Sequence, residues 1–138
     1  MRKFEFVDHT GDLGIRVFGK NLPDLFRHAA EALFHVITDP ETILARKSLK
    51  IAVKGHEPEE LLISWLNEFI YLFDTRGLLF REFEFISLNE HSLEAVVRGE
   101  PYDENRHPIK TTVKSATYHQ LQIRHKKGIW EAQVILDL

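Results

Sequence analysis

The chain of 138 residues matches the size of one domain with a substantial core, and its 43% hydrophobic and 28% charged composition is typical of a globular protein. Its formal net charge of −3 excludes a general attraction to nucleic acid, and the absence of cysteine excludes disulfides, thiolate metal sites and a cysteine nucleophile. No apolar run is long enough to cross a bilayer and no apolar leader follows Met1, so we expect a cytoplasmic protein without membrane contact.

The first third of the chain predicts two strands and a helix. Apolar and polar residues alternate over 3–7 and 13–19, which is typical of half-buried strands. Apolar residues at three- and four-residue steps predict a helix that Asn21 caps and that ends before Asp39-Pro40. We place His28 and His35 of this helix at the surface or boundary.

A phosphate-binding loop is suggested by the glycine and lysine spacing of 14–20. The serine or threonine that should follow is Asn21, and the segment alternates like a strand. A phosphate cradle needs a loop whose amides converge on the anion, so we interpret this segment as a strand.

The remaining elements alternate between strands and one further helix. A strand over 48–54 precedes a helix that begins at Pro58, carries a Trp65 and Phe69 core stripe and closes at Gly77. Strands are predicted over 79–87 and 91–99, then a long exposed loop over 100–108, and then a hairpin of 112–124 with 129–137. The chain is therefore predicted to be one α+β domain over 1–138, a two-layer sandwich with a mostly antiparallel sheet of about seven strands covered by two helices.

The turn between the first two strands concentrates polar chemistry in five residues: Asp8, His9, Thr10, Gly11 and Asp12. Hydrogen bonding to local amides is the ordinary explanation for aspartate in a turn. The last predicted strand ends at Asp137, beside the terminal carboxylate of Leu138. If the first or second strand pairs nearby, these oxygens converge and repel each other unless a cation or protons neutralise them. Calcium or magnesium fits such a set of oxygen ligands.

The penultimate predicted strand adds Lys114 and His119. Lysine at such a position is ordinarily solvated, and His119 is equally consistent with a structural role and with a role in a site. His119 and His9 together would instead suit zinc or nickel. The surrounding basic residues favour an acidic partner or RNA, although basic hairpins are usually just solvated surface.

Four segments resemble the archease family, in the right order and over essentially the whole chain. Residues 8–15 resemble its N-terminal signature, 61–68 its second-helix motif, and 114–119 and 134–138 its C-terminal motifs. Gly11 departs from the family, which often has alanine there, and this bears only on the conformation of the turn.

The resemblance implies a small cytosolic accessory protein in tRNA splicing, not an enzyme. Archeases activate RNA ligases of the RtcB family by promoting guanylylation of the ligase and its multiple turnover. A chaperone-like role toward a tRNA methyltransferase is also associated with the family, and RNA contact would be indirect or weak. By this resemblance the metal site maps onto Asp12, Asp137 and the Leu138 carboxylate, with Lys114 as a functionally implicated neighbour.

Two other classes of function stay open from the residues alone. A metal-dependent RNA or phosphoester hydrolase would use His9, His119 and the aspartates. An RNA-binding module would work through the last hairpin. The small size and the lack of a recognisable nucleophile or nucleotide loop favour the accessory role.

Overall fold

The computed structural model describes residues 2–9, 11–117 and 122–138, with the side chain of His9 outside that description. Within this part of the chain there are two α-helices, a short 3-10 helix over Pro40–Thr42 and eight strands. The helices are α1 (Leu22–Ile37) and α2 (Pro58–Arg76). The strands are β1 (Phe4–His9), β2 (Asp12–Gly19), β3 (Lys47–Lys54), β4 (Leu78–Leu88), β5 (Ser92–Pro101), β6 (Ser115–Thr117), β7 (Arg124–Lys126) and β8 (Ile129–Asp137).

Local capping sets the helix ends that the sequence predicted. The Asn21 side chain accepts a hydrogen bond of 2.8 Å from the main-chain N–H of Asp24 at the start of α1. Pro58 occupies the first turn of α2, where its missing N–H has no cost. Gly77 closes α2 in the left-handed conformation, with φ of 63°.

All strand pairs are antiparallel, and the described strands form two sheets. The larger sheet has the order β1-β2-β8-β6, with β7 also paired to β8, and the smaller has the order β3-β5-β4. The predicted α+β class with two helices is confirmed. The strands divide between two sheets, because β3 pairs with β5 and not with a strand of the larger sheet.

The core lies between the helices and the inner faces of the sheets, and the predicted aromatic stripe of α2 is its centre. Trp65 and Phe69 have no exposed surface, and their rings meet edge to face at 4.6 Å. The indole N–H of Trp65 donates to the main-chain oxygen of Phe26 in α1 at 2.9 Å. His28 is buried, with Nδ1 2.6 Å from the carbonyl oxygen of Phe18, so its predicted surface or boundary position was wrong. His35 is exposed, as predicted.

Two predicted segments differ from the structure. The strand predicted over 112–124 is present as two short strands, β6 and β7, and residues 118–121 between them lie outside the described residues. The loop predicted over 100–108 is only partly exposed, because Glu100 belongs to β5 and is buried together with His107. These two side chains are in contact, which stabilises their burial.

The segment 14–20 forms most of β2, so the interpretation of its glycine and lysine spacing as a strand is confirmed. None of the helices in the described ranges is long and apolar enough to cross a membrane.

Candidate functional site

The pairing of β2 with β8 places Asp12 directly opposite Asp137 at one end of the larger sheet. The neighbouring strands extend this row, since Ser115 of β6 is the partner of Asp137 and the main chain of His9 is the partner of Asp12. Residues directly opposite each other in an antiparallel pair share one face of the sheet. Asp12, Asp137 and Ser115 therefore lie side by side, and we call them the carboxylate row.

The carboxylate row lies on the face of the sheet that is turned away from the core. The next pairs along the strands, Leu13 with Leu136 and Ile15 with Val134, point into the core, and Ile15, Val134 and Leu136 are buried. Successive residues of a strand alternate between faces, so Asp12 and Asp137 point outward. Both aspartates are half-buried. The carboxylate row is therefore accessible to a ligand from solvent and is carried by paired strands of the sheet.

The electrostatics of the carboxylate row favour a positively charged ligand. Like charges directly opposite each other in a sheet are destabilising. Among the described residues, neither Asp12 nor Asp137 is within salt-bridge distance of a basic side chain. Two neighbouring carboxylates are an oxygen donor set of the kind that hard divalent ions bind. The residues present thus fit such an ion in chemistry.

Lys114 is attached to this site through its main chain. Its N–H donates a hydrogen bond of 2.8 Å to the carbonyl oxygen of Asp137. Its side chain is exposed. The main chain of Lys114 is thus held at the end of β8, and its side chain is exposed to solvent.

The other predicted site residues are distributed differently. Leu138 follows Asp137 directly, and 36% of its surface is exposed. Asp8 is exposed and is the partner of Leu13, so it lies in a different row from Asp12 and on the opposite face. His119 and the side chain of His9 lie outside the described residues, so the zinc or nickel hypothesis stays a prediction. Within the described ranges, no group of three or more histidine, aspartate or glutamate side chains is arranged to hold a metal ion.

Two further features were missed by the sequence interpretation. An open groove of about 390 Å³ runs along the larger sheet and is lined by Val7, Arg16, Gln122, Arg124, Glu131 and Gln133. Asn67 of α2 contacts β6 through two hydrogen bonds. The only indication of Asn67 in the sequence is that a polar residue lies among the apolar residues of α2.

The fold and the site together define a small α+β domain that presents two opposed carboxylates on the outer face of its larger sheet. The model of the Archease protein family (MTH1598/TM1083) matches residues 4–138. The chain belongs to the archease family, and the resemblance noted in the sequence is confirmed.

Relatives match along their whole length. The chain is 37% identical to protein archease of Pyrococcus furiosus, with all of both chains covered. It is 36% identical to protein archease of Methanosarcina barkeri, covering 99% of this chain and 97% of the relative.

Two solved structures share the fold. One is the solution structure of Methanobacterium thermoautotrophicum protein 1598, with a TM-score of 0.82, 31% identity and full coverage of both chains. The other is the crystal structure of an archease from Thermotoga maritima, described as a possible chaperone. Its TM-score is 0.65 at 19% identity, over 100% of this chain and 98% of that chain, and it supports the fold alone.

Proposed function

We propose that this protein is a cytoplasmic accessory factor in tRNA splicing that activates an RtcB-family RNA ligase by promoting its guanylylation and multiple turnover. The observation that carries the proposal is the placement of Asp12 opposite Asp137 on the outer face of the larger sheet. Membership of the archease family supports the accessory role.

In this proposal Asp12, Asp137 and the main-chain carboxylate of Leu138 hold one divalent cation, Ca²⁺ or Mg²⁺. The bound ion supplies positive charge that neutralises the row and can meet a phosphate or carboxylate of the partner. The β2–β8 pairing holds the main chains of Asp12 and Asp137 opposite each other, so both side chains start from neighbouring positions on one face of the sheet. In this proposal the exposed side chain of Lys114, whose N–H donates to the Asp137 carbonyl, supplies a second positive charge to the partner.

An accessory role is also consistent with the hydrogen bonding of the β2 main chain. The segment whose glycine spacing resembles a nucleotide loop is paired to β1 on one side and to β8 on the other. Its amides are engaged in the sheet and cannot converge on a phosphate. In this proposal the nucleotide chemistry belongs to the ligase.

The direct test is reconstituted ligation with the ligase at a substoichiometric amount relative to RNA ends. Asp12→Asn and Asp137→Asn keep the side-chain shape and remove the charge, so we expect turnover to fall to the level of the ligase alone. The matched control is Glu94→Gln, which changes an exposed carboxylate of the smaller sheet that pairs with Lys50 at 3.3 Å. Stimulation by either aspartate variant at the parent's level would remove the basis of the proposal.

The Leu138 carboxylate has a separate test. Appending a short peptide after Leu138 converts this carboxylate to an amide, and we expect a weaker calcium affinity in isothermal titration. An internal tag in an exposed turn of the smaller sheet, at 89–90, serves as the control. If the C-terminally extended protein binds calcium like the parent, Leu138 is not a ligand.

The other classes of function give different results in the same preparations. A metal-dependent hydrolase turns over RNA or a phosphoester without the ligase and loses this activity on chelation. An RNA-binding module binds RNA with an affinity that falls steeply between two salt concentrations. A chaperone-like partner of a tRNA methyltransferase alters methylation in the absence of ligase.

A further inference from the structure

The strand β6 lies between β8, which carries Asp137, and the core helix α2. On one side it pairs with β8, where Ser115 lies opposite Asp137. On its other side no further strand pairs with it among the described residues, and the side chain of Asn67 from α2 approaches instead.

Asn67 replaces the missing strand at one residue of β6. Its side-chain oxygen accepts a hydrogen bond of 2.8 Å from the N–H of Ala116, and its side-chain NH₂ donates one of 3.1 Å to the carbonyl oxygen of Ala116. A planar amide with one donor and one acceptor thus contacts both main-chain groups of a single residue, as a neighbouring strand would. Both groups of Ala116 are satisfied at an edge that would otherwise be open.

The base of this contact is rigid. Trp65 and Leu66, the residues that precede Asn67 in α2, are at most 1% exposed and belong to the core. A side chain that projects from such a position has little freedom to move, and residues supported in this way hold a site accurately. Asn67 therefore fixes the position of β6 relative to the core.

We propose that Asn67 is a positioning residue of the carboxylate row, acting through β6. Ser115 and Lys114 flank the contact with Ala116 on its N-terminal side, and the N–H of Lys114 donates to the carbonyl of Asp137. Without Asn67 the segment 114–117 loses its outer support, and both Lys114 and the end of β8 gain freedom. The inference rests on the proposed function for its metal and ligase readouts, but the effect on β6 is measurable without either.

Glu59 offers a matched control on the same helix. Its Oε2 accepts a hydrogen bond of 3.2 Å from the N–H of Ile123, which lies before β7 and away from Asp137. Glu59→Ala therefore removes a contact between α2 and the same region of the chain without touching β6. Asn67→Ala and Glu59→Ala are compared at a temperature at which both are folded by circular dichroism.

The experiment measures calcium affinity by isothermal titration with CaCl₂, ligase stimulation and amide hydrogen exchange by NMR. For Asn67→Ala we expect calcium affinity and stimulation to fall about tenfold and the Lys114 and Ala116 amides to exchange at least about tenfold faster, since two hydrogen bonds are lost. Glu59→Ala should stay within about twofold of the parent in affinity and stimulation, the error expected of such comparisons.

Two results would overturn the inference: parent-like affinity and stimulation in Asn67→Ala, or an equal loss in Glu59→Ala, which would mean general destabilisation. If the parent itself neither binds calcium nor stimulates the ligase, the proposed function fails. Amide exchange at Lys114 then decides the inference alone: unchanged exchange in Asn67→Ala overturns it, and faster exchange supports it.

Discussion

Glu100→Gln should lower the free energy of unfolding at pH 7 by about 2 kcal/mol, because the Glu100 carboxylate is buried and fully hydrogen-bonded. Its side chain has no exposed surface. Oε1 accepts from the guanidinium of Arg106, and Oε2 accepts from the N–H of Leu44 at 2.7 Å and from Nε2 of His107 at 2.9 Å. The N–H of Asp103 donates to Nδ1 of His107, which leaves the ring proton on Nε2 for Glu100.

The magnitude follows from the pKa of this carboxyl group. Hydrogen bonding from Arg106 is the main reason that the pKa of Glu100 falls from 4.5 to about 2; burial opposes this shift, and the N–H groups of Leu44 and His107 add to it. Such a shift between the unfolded and the folded protein corresponds to a contribution of about 3 kcal/mol to the free energy of unfolding at pH 7. Arg106 is 37% exposed, so solvent screening reduces the expected value to about 2 kcal/mol.

The sign of the pH dependence is set by the direction of the shift. Because the pKa is lower in the folded protein, the carboxylate stabilises the fold fully above about pH 4.5. This stabilisation is lost progressively as the pH falls from there towards 2. The parent should therefore lose stability over this range more steeply than Glu100→Gln.

Urea denaturation at a series of pH values between 7 and 3 measures the difference between parent and variant. We expect this difference to shrink as the pH falls, and Glu94→Gln, with a 45% exposed side chain, to differ from the parent by less than about 1 kcal/mol throughout. A difference between parent and Glu100→Gln that stays constant from pH 7 to pH 3 would refute the reasoning.

Three further predictions concern the fold and the carboxylate row. A Cβ at position 99 would overlap the carbonyl oxygen of Leu79, so Gly99→Ala should cost at least about 3 kcal/mol in thermal unfolding; a parent-like melting temperature would contradict this. Trp65→Phe removes the indole N–H that donates to the Phe26 carbonyl, together with part of a buried ring, and should lower the free energy of unfolding by about 1–3 kcal/mol in urea denaturation; an unchanged midpoint would contradict this. In the presence of a chelator, Asp137→Asn should raise the free energy of unfolding by about 0.5 kcal/mol, because it relieves the repulsion from Asp12. Added calcium should stabilise only the parent. A variant that is less stable than the parent in chelator would argue against that repulsion.

Helices and most strands were predictable because their signals are local. Asn21 caps α1 and Gly77 closes α2 through contacts with residues a few positions away in the chain. The alternation within 13–19 requires only neighbouring residues, and it outweighed the glycine spacing that suggested a nucleotide loop.

Partners far apart in the chain were not predictable in the same way. The segment 100–108 has the composition of an exposed loop, and nothing near Glu100 in the sequence indicates that the Leu44 N–H will meet its carboxylate. His28 follows the polar pattern of its helix, yet the Phe18 carbonyl accommodates it in the interior. In both cases a polar group is buried because the tertiary structure supplies a specific partner.

The sequence by itself determined the helix ends, the aromatic stripe of α2, the strand periodicity and the membership of a family, because each depends on neighbouring residues or on an ordered set of short motifs. Only the tertiary structure decided that Asp12 faces Asp137, that Asp8 lies in a different row and that two sheets form instead of one. Strand register is selected by the burial of a whole face, because a shift of one residue would expose Ile15 and Leu136 and turn the aspartates inward. That choice involves the entire core and cannot be made by any single segment.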